Sequence, residues 1–158
     1  MPNGNPAETI HRRRFLTLTG AGGVALAVGQ LAPSAARAAK SDVAQAIREL
    51  TGGRQPAAGK IRIDLPEIAE YGDAVPLSVE VDSPMTAESY ISAIHIFAEE
   101  NPLPRVATFR FTPMSGKAHV STRIRLAKTQ NVVAVAEASS GEVYMAKRAV
   151  KVTVGGCG

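Results

Sequence analysis

A chain of 158 residues, 45% apolar and 20% charged, has the size and composition of one globular domain. Most of its net charge of +4 sits at the start: residues 1–38 hold four Arg and one Glu, leaving 14 basic against 13 acidic residues. That near-neutral body argues against nucleic acid or an anionic membrane surface as principal partner, and three scattered His with one Cys give no zinc or iron–sulfur pattern and no internal disulfide.

The first segment reads as an export signal. Arg12 and Arg13, followed by Arg14-Phe15-Leu16, resemble the twin-arginine motif. Residues 16–32 carry no charge but are diluted by Gly20, Gly22, Gly23 and Gly29, too short and too weak for a spanning helix. Ala36-Arg37-Ala38 fits the small-x-small cleavage pattern, which places the cut after Ala38. Residues 1–38 are therefore expected to be removed, leaving residues 39–158 in an oxidising bacterial periplasm with no stable membrane insertion. Twin-arginine export carries folded proteins. With no cofactor motif in the rest of the chain, none is expected, and a protein partner bound before export is the economical explanation.

In the body, Ser41 is expected to cap a short helix with Val43, Ile47 and Leu50 on one face and Gly52-Gly53 as its stop. Residues 54–59 read as a linker, Ile61 and Ile63 as an early strand, and residues 67–70 as a helical turn. From Val75 the apolar period becomes two: Val75, Leu77, Val79 and Val81, then Ile94, Ile96 and Ala98, then Ala107, Phe109 and Phe111. Val120, Ile124 and Leu126 follow, then residues 132–136, then Val150, Val152 and Val154. Turn residues such as Asp82-Ser83-Pro84, Asn101-Pro102 and Ser139-Ser140-Gly141 separate these runs. Short alternating strands with regular turns predict an all-β fold, an antiparallel β-sandwich. Residues 39–154 are one such domain.

Several residues are candidates for chemistry and are assigned bland roles. Glu99-Glu100 is expected in a solvated turn, since neighbours on a strand end point to opposite sides. His95 and His119 are expected on strand surfaces. Arg123 and Arg125 share a face opposite Ile124 and Leu126, where they would meet solvent or steer an anionic group. The run from Val132 to Val135 is either core or partner interface, and the pattern leaves both open.

The chain end is different. The last strand, predicted over residues 147–154, runs directly into Gly155-Gly156-Cys157-Gly158. Glycine loses the most backbone entropy on ordering, so residues 155–158 are expected to be a mobile arm with a thiol near its tip. The backbone from Val154 to Cys157 extends about 10 Å at roughly 3.3–3.6 Å per residue. No cation neighbours Cys157 in sequence, and the terminal carboxylate one residue away disfavours the thiolate, which suits a handle modified by other enzymes. A covalent carrier, a disulfide staple to another envelope protein and a thiol redox enzyme are the readings to separate. The last would need acid and base groups that the tip lacks.

Val150-Lys-Val-Thr-Val-Gly-Gly-Cys-Gly158 resembles the C-terminus of SoxY, the sulfur-carrier family of bacterial thiosulfate oxidation. The likeness extends over the twin-arginine leader and residues 66–70, 79–85, Asn101-Pro102 and 121–127. It implies an immunoglobulin-like sandwich, a heterodimer with a SoxZ-like subunit, and sulfur held on Cys157 by an arm made of Gly155, Gly156 and Gly158. It implies a periplasmic, non-catalytic carrier. Enzymes of the SoxAX and SoxB types, and in some organisms a sulfane dehydrogenase, would act in turn on a cysteine S-thiosulfonate and a persulfide. The family commonly ends Gly-Gly-Cys-Gly-Gly, one glycine longer than this sequence.

Overall fold

A computed structural model describes residues 35–156, with side chains from residue 42 onward. The export-signal residues, Arg12 and Arg13 among them, and Cys157 with Gly158 lie outside the described residues. One helix, α1 (Ala35–Thr51), precedes eight strands: β1 (Ile61–Asp64), β2 (Ile68–Tyr71), β3 (Val75–Val81), β4 (Ile91–Ala98), β5 (Arg105–Arg110), β6 (Ala118–Ile124), β7 (Gln130–Ala138) and β8 (Val143–Val154). They form a three-stranded sheet ordered β1-β3-β6 and a five-stranded sheet ordered β2-β8-β7-β4-β5. This is the sandwich that the alternating apolar pattern predicts, with α1 added on one face.

The alternation explains the packing. On β3, Val75, Leu77, Val79 and Val81 are buried while Pro76 and Glu80 are exposed, so one face meets the core and the other meets water. Strands β4 and β7 are buried on both faces. Their inward residues, Ile94, Ile96, Val132, Ala134 and Ala136, join the core between the sheets. Their outward residues, Phe97, Val133 and Val135, form a second cluster with Val143 and with Val43, Ala46, Ile47 and Leu50 of α1. The run from Val132 to Val135 is thus core on both sides, the inner half under the opposite sheet and the outer half under the helix.

Three expectations need correction. Helix α1 begins at Ala35, so Ser41 lies inside it instead of capping it. Alanine has the highest helix propensity, and Ala35, Ala36, Ala38 and Ala39 carry the helix upstream. Residues 68–71 are a strand, not a helical turn. Ile68 pairs with Lys151, Ala69 with Val152 and Tyr71 with Val154, in a parallel register that a local helical preference does not outweigh. That pair makes the larger sheet mixed; the other strand pairs are antiparallel.

No helix among the described residues is long and apolar enough to cross a membrane. Phe97 is fully buried between β4 and α1. Its replacement by Ala is expected to destabilise the domain by about 3–5 kcal/mol, the usual range for a core aromatic, as read by denaturant unfolding.

Candidate functional site

Strand β8 is the longest, and both of its edges are paired: with β7 from Gln130↔Val150 to Glu137↔Val143, and with β2 near its end. That pairing carries the chain to Val154 and delivers the glycines beyond it against the loop between β6 and β7. Gly156 is buried, and its N–H donates to the Leu126 carbonyl at 3.0 Å. The Leu126 N–H in turn donates to the Gly72 carbonyl at 2.8 Å, in the turn after β2. Three backbone segments therefore meet at Leu126, whose side chain is wholly buried in the core.

The approach is close enough to require glycine. A Cβ at Gly155 would lie 2.0 Å from the Ala127 carbonyl oxygen. One at Gly72 would lie 2.1 Å from the Leu126 carbonyl oxygen, and one at Gly156 2.7 Å from the Gly72 carbonyl. These are the first two residues of the segment expected to form a mobile arm. In the structure the first two glycines are seated on the domain, because the missing side chains let backbone pack on backbone.

The loop that receives them is held by a buried amide network. Asn101 Nδ2 donates to the Arg125 carbonyl at 2.9 Å, and Asn101 Oδ1 accepts from the Ala127 N–H at 2.9 Å, bracketing Leu126. Gln130 Nε2 donates to Asn101 Oδ1 at 2.8 Å and to the Lys128 carbonyl at 3.1 Å, while Gln130 Oε1 accepts the Glu100 N–H at 2.8 Å. Thr129 Oγ1 accepts the Val152 N–H at 2.9 Å, tying the same loop to β8. Sequence reasoning recorded Asn101 only as a turn residue and missed Gly72, Leu126, Ala127 and Gln130 as a group. An Asn before Pro reads as a turn; that its amide bridges a distant loop is not encoded locally.

The other candidates stand apart from this junction. Glu99 is buried, not solvated: its carboxylate accepts from Lys147 Nζ at 2.5 Å and from Asn131 Nδ2 at 2.8 Å. Glu100 is half-buried and lies 3.1 Å from Lys128 Nζ. These pairings give the burial of both carboxylates a structural explanation. His119 is exposed, as expected, and hydrogen-bonds Ser78 Oγ at 2.9 Å. Arg123 and Arg125 are exposed.

His95 is buried, against expectation, on the outward face of β4. Its Nδ1 hydrogen-bonds Thr108 Oγ1 at 3.0 Å, and its Nε2 lies 3.6 Å from Glu137 Oε1 without a hydrogen bond. Burial lowers its pKa, Glu137 opposes this, and Arg105 and Arg110 add to the lowering. Among the described residues no group of three or more His, Cys, Asp or Glu is placed to hold a metal ion.

The family model for the sulfur oxidation protein SoxY matches residues 47–157, from inside α1 to the cysteine. A solved structure of the sulfur carrier protein SoxY from Chlorobium limicola f thiosulfatophilum is similar, with 40% sequence identity over 72% of this chain and 98% of that one, at a TM-score of 0.59. The chain belongs to the SoxY family. A superoxide reductase (neelaredoxin) from Ignicoccus hospitalis also matches, with 20% identity, 60% of this chain, 80% of that one and a TM-score of 0.53. That likeness is one of fold alone. Among curated proteins none matches.

A histidine whose folded pKa is lowered binds fewer protons folded than unfolded, so stability is lost as pH falls through the unfolded value near 6.5 toward the folded one. Unfolding free energy is expected to decline from pH 7 to pH 5, and His95→Gln to flatten that slope.

Proposed function

We propose that this SoxY-family protein is a periplasmic covalent carrier of sulfur in thiosulfate oxidation, with Cys157 as the attachment point. The observation that carries the reading is the family match extending to Cys157, three residues past the end of a strand whose course the fold fixes. An enzyme of the SoxAX type would join thiosulfate to the thiol as an S-thiosulfonate, taking two electrons. An enzyme of the SoxB type would hydrolyse the terminal sulfone as sulfate and leave a persulfide for further oxidation, by a sulfane dehydrogenase where one exists.

The carrier needs no cofactor and no catalytic residue of its own, because each partner supplies the chemistry. Tethering keeps the intermediate from diffusing away and presents it at high effective concentration. A SoxZ-like subunit would complete a heterodimer before export through the twin-arginine route, directed by Arg12 and Arg13.

The test is the intact mass of the protein from cells grown on thiosulfate, with and without reductant. Reductant-labile sulfur or thiosulfate additions are expected, absent from Cys157→Ala, which should fold normally and abolish thiosulfate oxidation. A bare thiol, or a single protein disulfide-linked at Cys157, would replace the carrier with a structural envelope module.

A further inference from the structure

The seat of the C-terminal glycines is built from parts that the carrier role alone does not require. Gly72 lies outside the arm, yet a Cβ there would strike the Leu126 carbonyl oxygen at 2.1 Å and the Gly156 nitrogen at 2.5 Å. Glycines needed only to pass through a partner's channel would leave residue 72 unconstrained. The approach of Gly72 to Leu126 belongs to the domain itself, whereas those of Gly72 to the Gly156 nitrogen, of Gly156 to the Gly72 carbonyl and of Gly155 to the Ala127 carbonyl oxygen exist only when the arm's root is docked.

The two sides of the contact are held unequally. The receiving loop is fixed by both ends of the Asn101 amide, by Gln130, by the Thr129 bond to β8 and by the buried Leu126 side chain. The arm's root has no side chain to bury, and the Gly156 N–H to the Leu126 carbonyl is its hydrogen bond to that loop. One such bond contributes little net free energy, while ordering glycine costs more backbone entropy than ordering any other residue. A rigid receptor facing a weakly held segment makes a contact that a competitor can open.

We infer that Gly72, Leu126 and Ala127 form a parking socket for Gly155 and Gly156, that Asn101 is the positioning residue that keeps the socket in shape, and that the arm alternates between docked and released states. Docked, the free part of the arm begins after Gly156; released, it begins after Val154, which lengthens its reach by two residues, about 7 Å. A partner with a shallow site meets the docked arm, and one with a deep site must release it. Its use in sulfur transfer rests on Cys157 being the carrier thiol, whereas its geometry does not.

Amide hydrogen exchange by NMR on the full chain, without any sulfur compound, tests the socket independently of sulfur carriage. The Gly156 amide is expected to exchange roughly tenfold more slowly than in a free peptide, the protection given by one net hydrogen bond. Two variants should return it to the free-peptide rate: Gly155→Ala from the arm side, and Asn101→Asp, which removes the donor to the Arg125 carbonyl, from the socket side. Amides of Ile94 and Ala134 should stay protected in both. A nitroxide on Cys157, the single cysteine, should give a narrower spectrum in each variant than in the parent. Free-peptide exchange at Gly156 in the parent would overturn the socket, as would no response to Gly155→Ala. A response to Gly155→Ala but not to Asn101→Asp would overturn the role given to Asn101.

Discussion

Strand β8 is hydrogen-bonded along both edges, to β7 for most of its length and to β2 near its end, and the rest of the molecule is arranged around that double pairing. The antiparallel partner guides it as far as Val150, and the parallel partner on the other edge takes over from Lys151 to Val154. The last strand residue, Val154, pairs with Tyr71, so the next residues must pass the turn at Gly72. The position of Gly155 and Gly156 follows from sheet register.

The neighbouring strands impose a second constraint. Because β4 and β7 are interior to the five-stranded sheet and apolar on both faces, each face must be covered. The three-stranded sheet covers one, and Val43, Ile47 and Leu50 of α1 cover part of the other. His95, on that outward face, is left among Thr108, Glu137, Arg105 and Arg110, a polar margin beside an apolar cover. Helix, sheet and chain end are thus consequences of one strand order.

Polar residues at the β6–β7 loop turn this architecture into a defined site. Buried amides are stable only when their donors and acceptors are used, and Asn101 and Gln130 use theirs on backbone groups of a loop and on each other. That arrangement fixes the Leu126 and Ala127 carbonyls, which face Gly156 and Gly155. Two residues without side chains, Gly155 and Gly156, then pack against that loop.

The sequence by itself determined the sandwich, because period-two burial and turn chemistry are local signals: Val75 to Val81 and residues 132–136 announce their strands without reference to any partner. It also determined that the chain ends in one thiol flanked by glycines. It misread residues 67–70, whose strand exists only by pairing with β8, and it placed His95 and Glu99 in solvent because burial depends on what packs above a strand. Only the tertiary structure decided that Gly155 and Gly156 rest against Gly72 and Ala127. Glycine in sequence signals freedom, and whether that freedom is used to move or to pack closely depends on the segment brought within reach.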